Sequence, residues 1–184
     1  AGREPIARRP PAPTAFFFAE VNAEVTLEPT RNALGTFLRA ERNTAPGDGT
    51  IRRITIRVAS PDDSEAVIAG DTFFRTLASA SPPRFLETLA SPPQLYFARA
   101  SGRSHVIVAV ESHDGPRSRE ALLRGEGTMQ RDLELLFLGD PYPVSLDLFR
   151  DRTYRNLDYR FLTVSPDGDG GIGYLYFPGR RLII

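Results

Sequence analysis

Lysine is missing from this chain. All 23 positions in the Lys/Arg class are arginine, which keeps the positive charge but offers no ε-amine to accept ubiquitin, acetyl or methyl groups. A GC-rich genome accounts for part of the skew, since 16 Pro and 15 Gly accompany the arginine, yet 12 Phe and 6 Tyr show that AT-coded residues are thinned and not purged. Genome composition, selection against amine modification and deliberate replacement of Lys by Arg all remain open. Cysteine is also absent, which excludes disulfides, a thiol nucleophile, iron–sulfur clusters and the Cys-based zinc sites. Net charge is absent as well: 23 acids balance the arginines and the pI is near 7. No whole-molecule field therefore draws the chain to nucleic acid or anionic lipid, and any such binding must be local. No apolar run approaches the ~20 residues of a membrane helix, Phe16-Phe17-Phe18 is too short for a signal-peptide core, and neither common phosphate-binding loop motif occurs.

What is present is enough for one core. The 184 residues are 41% hydrophobic, which suits one domain of ordinary size. Residues 1–15 hold Arg3, Arg8 and Arg9 among Pro5, Pro10, Pro11 and Pro13, a composition that predicts an extended, flexible tail or linker. A single domain is expected over 16–184. The start at Ala1 without Met is what a processed mature protein or an excised domain is expected to show.

Along the domain, Val21, Ala23, Val25 and Leu27 alternate with polar residues and predict a strand ended by Pro29. Thr30 is placed to cap a helix carrying Leu34, Phe37 and Leu38, with 43–49 as its exit loop. Ile51, Ile54, Ile56 and Val58 predict the next strand, with Arg53, Thr55 and Arg57 on the face opposite the last three. Ser60-Pro61-Asp62-Asp63 has the grammar of a helix start, Ser capping and two carboxylates at the positive end of the dipole, so a helix is expected from there to about Leu77. Ser81-Pro82-Pro83 predicts a second, short helix. The pair 94–100 and 104–112 reads as a hairpin whose second arm, Val106-Ile107-Val108-Ala109-Val110, is apolar on both faces and so central. Gly115-Pro116 is expected to break it, 119–124 to form a brief helix, and 132–138, 144–149, 157–164 and 172–177 to be strands. The sum is an α+β domain, a mainly antiparallel sheet with two or three helices on one face or end.

Chemistry is sparsely signalled. His105 and His113, the two histidines, bracket the central apolar run beside Glu111, Ser112 and Asp114. Adjacent Ser112-His113-Asp114 cannot form a triad, because neighbouring extended residues point to opposite sides. The candidate catalytic residues are therefore His105, Glu111 and His113, with partners to come from elsewhere, and the competing reading is a pair of turn histidines without function. No metal site and no cofactor are expected, two His and no Cys being a poor ligand set. Asp167-Gly-Asp169-Gly-Gly has the look of a calcium loop, but the twelfth position is Pro178 where a bidentate Glu is needed, so a tight hairpin turn is expected. Asp132-Leu-Glu134 has the acid spacing of an ADP-ribosyl-transfer site without its Ser/Thr strand, and a glycosidase pair cannot be chosen from 23 scattered carboxylates.

Arg150, Arg152, Arg155 and Arg160 interleave with Tyr154 and Tyr159, a mix able to grip phosphates and stack on flat groups. Asp147, Asp151 and Asp158 dilute it, which favours local ion pairs on a solvated face, and the Arg53/Arg57 face has the same ambiguity. Two functional expectations follow. The missing Lys and Cys suggest a secreted or exported effector or toxin-type domain acting inside a host cell, by similarity of composition to the lysine-poor catalytic chains of translocating toxins. The lack of a convergent catalytic motif suggests instead a non-catalytic binding or assembly domain of a secreted, periplasmic or virion protein. The expected partner is a host protein or a polyanionic ligand, with nucleic acid the less expected polyanion.

Overall fold

The computed structural model describes residues 11–44, 47–59, 65–78, 82–137, 143–166, 170–177 and 181–184. In chain order the elements are β1 (Val21–Thr26), α1 (Arg31–Asn43), β2 (Ile51–Ala59), β3 (Glu65–Val67), α2 (Gly70–Leu77), α3 (Pro83–Leu86), β4 (Gln94–Ala100), β5 (Arg103–Glu111) and α4 (Gly115–Asp132). A 3₁₀ turn (Glu134–Phe137), β6 (Arg150–Tyr154), β7 (Leu157–Thr163), β8 (Gly171–Phe177) and β9 (Arg181–Ile183) complete them. The strands hydrogen-bond in the order β1-β2-β4-β5-β9-β8-β7-β6, with β3 also on β2. Among the described strands only β1 and β2 are parallel, joined by the crossover helix α1 that a parallel pair requires. The architecture is thus the expected single α+β domain with a mainly antiparallel sheet. Its two parts, β1–β5 and β6–β8, are bridged by the three-residue β9, which pairs with β5 on one side and β8 on the other.

Local chemistry accounts for most boundaries. The Thr30 side chain accepts from Ala33 N at 3.3 Å and starts α1, satisfying one of the orphan amides of its first turn. Ser101 and Gly102 both have positive φ, as the two-residue turn joining β4 to β5 needs. In β5, Val108, Ala109 and Val110 are all fully buried, and β4 and β9 flank the strand, so the run with no polar alternation is central.

The pleat divides the sheet into two unlike faces. Ile54, Ile56, Leu95, Phe97, Val108, Val110, Leu162, Ile172 and Tyr174 lie on one side and form a single core with Leu34 and Leu38 of α1, Phe73, Phe74 and Leu77 of α2, Phe85 and Leu86 of α3, and Ala121, Leu122 and Met129 of α4. The helices are therefore all on this face. The register places Arg53, Tyr96 and Ile107 on the other face, together with Gln94, Ala109, Leu175, Tyr159 and Arg152. Here Arg57, 1% exposed, is held by the Glu24 carboxylate at 2.9 and 3.2 Å. Residues 13–17 cross the same face. Arg53 donates to Pro13 O and Gln94 to Thr14 O, while Phe16 N donates to Gln94 Oε1 and to Tyr96 Oη. Phe17 packs edge-on against Tyr96.

Several expectations are corrected. The helix expected from Ser60 to Leu77 is a hairpin strand, β3, followed by the shorter α2; the Ser60–Asp63 cap itself lies outside the described residues. Val67 and Ile68 favour extended backbone, and Gly70 cannot be a helix-interior residue with a side chain, because a Cβ there would lie 2.9 Å from Ser91 O. The brief helix at 119–124 is the long α4: Asp114 caps it through Arg117 N at 3.1 Å, and Gly115-Pro116 opens the first turn, where proline's missing N–H costs nothing. Of the strand expected over 132–138, the described residues 132–137 are instead the end of α4 and the 3₁₀ turn, the Leu-rich run being ambiguous in period. Residues 143–149 pair with no strand among the described residues, and the real strand there is the charged β6.

Candidate functional site

The pleat sorts the 150–160 segment. Arg150 pairs with Phe161 and Arg152 with Tyr159 across β6 and β7, while Asp151 pairs with Arg160 and Thr153 with Asp158. Directly opposed residues share a face, so Arg150, Arg152, Tyr154, Tyr159 and Phe161 lie on the helix-free face and Asp151, Asp158 and Arg160 on the other. The acids that interrupt the basic run in sequence are thereby removed from the face the arginines occupy. Arg150 and Arg152 are exposed and stand about 7 Å apart along the strand. Among the described residues neither side chain has a hydrogen-bond or ion-pair partner.

The turn between β6 and β7 adds a third cation. Arg155 and Asn156 have φ of 48° and 65°, the backbone of a two-residue hairpin turn. The Arg155 guanidinium stands 5.4 Å from the Tyr154 ring centroid, over its face. Further in, Phe161 lies over two glycines of β8: a Cβ on Gly171 would meet the ring at 2.4 Å and one on Gly173 at 3.2 Å. Only positions without a side chain admit the ring this close, and beside the arginines Tyr159 stands edge-on to it with ring centroids 6.4 Å apart.

Arg160 is separated from the other arginines. Glu126 of α4 accepts from its Nε and Nη2 at 2.8 and 2.7 Å and from the Tyr174 hydroxyl at 2.7 Å, and Asp151 stands 3.2 Å from Nη1. The bonds to Glu126 hold the guanidinium still further above its ordinary pKa. Burial, then the bond to Glu126, raises that of Tyr174. This cluster fastens α4 to the sheet. Arg53 and Arg57 are likewise engaged internally, by Pro13 O and by Glu24.

The catalytic candidates are strung out. His105 and Glu111 lie on the same face of β5 but six residues apart, roughly 20 Å of extended chain, and His113 follows beyond its end. His105 and His113 are exposed and Glu111 is half-buried. Their neighbour Ser112 is fully buried, its hydroxyl paired with Ser118 at 2.6 Å, and Ser118 is in turn bonded to Thr88. His113 lines an open cleft of about 770 Å³ with Asp114, Arg119, Glu120 and Tyr176. The buried Tyr176 hydroxyl makes no well-formed hydrogen bond among the described residues; burial raises its pKa, and the nearby Ser118 and Ser112 hydroxyls only temper the shift. No group of three or more His, Asp or Glu able to hold a metal occurs among the described residues. Asp167 and Asp169 lie outside them, although β7 and β8 do form the hairpin that this turn would close.

The chain matches no protein-family model, no curated protein and no solved structure.

Proposed function

We propose that this is a non-catalytic binding domain that takes a polyanionic ligand on the helix-free face of β6 and β7, through Arg150, Arg152 and Arg155 beside Tyr154, Tyr159 and Phe161. The observation that carries the reading is the separation by the pleat of arginines that have no partner among the described residues from Asp151 and Asp158. Exposed guanidiniums with aromatic planes at strand spacing suit a chain of phosphate, sulfate or carboxylate groups. A net charge of zero makes such binding short-ranged and salt-sensitive. Binding of inorganic polyphosphate by the full chain, followed by calorimetry at low salt, tests the reading. Replacing Arg150 and Arg152 with Gln should weaken it at least tenfold, and replacing the exposed helix residues Arg84 and Arg131 should change it little. Equal losses from both pairs would leave only nonspecific charge attraction.

The effector reading keeps one distinct support, the absence of lysine, and is tested by the cellular lifetime of lysine-bearing variants.

A further inference from the structure

The same line of side chains continues past the arginines as something unlike a polyanion site. Upstream of β6, Val144, Leu146 and Leu148 are 76, 99 and 80% exposed, while Ser145 and Phe149 turn elsewhere: Ser145 is half-buried and Phe149 packs on Tyr174 in the core. The segment is not loose. Gln130 of α4 donates to Pro143 O at 2.9 Å and accepts from Ser145 N at 2.8 Å, and the Ser145 hydroxyl donates to Thr163 O at 3.0 Å. Three aliphatic tips are thus held out in water by a fixed backbone. Arg150, Arg152 and Tyr154 follow at the same alternate spacing.

We infer that the Val144, Leu146 and Leu148 tips and the β6 arginines together seat this protein on an anionic lipid bilayer. The inference rests on the polyanion reading above and names its ligand. Aliphatic tips suit the boundary between headgroups and acyl chains, guanidiniums the lipid phosphates, and a Tyr the interface between. Three arginines without acidic partners among the described residues select anionic over neutral lipid. The one exposed acid in the apolar stretch, Asp147, lies at an alternate position, its backbone amide bonded to the Ser145 hydroxyl.

Other occupants fit less well. A strand added to the β6 edge would use its backbone and leave 144–148 unaccounted for. A second copy pairing antiparallel along the whole of β6 about a two-fold axis sets Arg152 against Arg152. Like charges directly opposed are unfavourable.

The test is co-sedimentation of the full chain with vesicles of phosphatidylcholine alone and of an equimolar mixture with phosphatidylglycerol, run beside polyphosphate binding. Binding to the mixed vesicles only is expected. Replacing Leu146 and Leu148 with Ser should lower vesicle partition at least tenfold and leave polyphosphate affinity unchanged, whereas Arg150→Gln with Arg152→Gln should lower both, the vesicle arm by about fivefold per arginine. All four positions are exposed, so thermal unfolding should match the parent. Vesicle binding indifferent to the leucines overturns the inference, as does a dimer in solution that the Leu variant abolishes. Arg-dependent polyphosphate binding without vesicle binding overturns the bilayer alone, and loss of both removes the polyanion reading with it.

Discussion

Replacing Glu126 with Gln keeps the shape of the side chain but takes the charge from a carboxylate that joins α4 to both β7 and β8. In the native protein it accepts two bonds from Arg160 at 2.8 and 2.7 Å and one from Tyr174 at 2.7 Å, and the Arg160 and Glu126 side chains are 19% and 16% exposed. Breaking a fully buried pair costs about 3–5 kcal/mol. This pair is partly wet, and Asp151 at 3.2 Å still neutralises some of the Arg160 charge, so the expected loss is about 2 kcal/mol. That is a large share of the ~5–15 kcal/mol available to a domain. In urea the midpoint should fall by on the order of 1 M with the slope unchanged. A double-mutant cycle with Arg160→Gln should show a coupling of about 1–2 kcal/mol, because each single variant removes the same bonds. A loss below about 0.5 kcal/mol, or strictly additive effects, would refute the claim that this cluster fastens the helix to the sheet.

Three further outcomes are expected. In α4, a Cβ added at Gly127 would meet nothing within 4 Å, whereas one on Gly171 would meet Leu162 O and Phe161 at 2.4 Å; Gly127→Ala should therefore stabilise by about 0.5–1 kcal/mol and Gly171→Ala destabilise by about 2 kcal/mol or more in urea unfolding. Because Tyr174 and Tyr176 titrate above their ordinary value of 10.0, the unfolded chain gives up those protons first, so their contribution is intact below about pH 10 and is lost as pH rises beyond it; Tyr174→Phe should flatten that alkaline decline, and an unchanged slope would contradict it. Restoring lysine at the exposed positions 84, 119 and 131 should leave folding nearly unchanged yet shorten lifetime in a eukaryotic cytosol in a proteasome-dependent way, and equal lifetimes would return the missing lysine to genome composition.

Part of the apolar and capping signal in the chain is readable, and the charge pattern is not. Val106–Val110 announces a buried central strand because no polar residue alternates with it, and Thr30 announces α1 because its side chain has a definite amide to cap. β6 hides because Arg150-Asp151-Arg152-Thr153-Tyr154 alternates in charge sign and not in hydropathy, so its period is visible only once β7 supplies a register. The same register decides the candidate site: Arg160 reads as one more cation in the run, but the pleat turns it inward to Glu126, a residue 34 positions away that nothing in the local pattern indicates. α4 hides for another reason, since Gly125 and Gly127 depress helix propensity and only packing on the sheet restores it. The alternation of Val144, Leu146 and Leu148 suggests a strand because apolar alternation ordinarily marks a buried face, and here that face is open to solvent.

The most direct test of the central claim is the map of nuclear magnetic resonance shifts when isotope-labelled full-length chain is titrated with inorganic polyphosphate at low salt. The side-chain Nε–H signals of Arg150, Arg152 and Arg155 and the amides of Tyr159 and Phe161 should move together, while those of Arg160 and Arg57, held by Glu126 and Glu24, should stay in place. Shifts centred on Arg84, Arg119 and Arg131, or spread evenly over the exposed arginines, would contradict a binding face created by the pleat of β6.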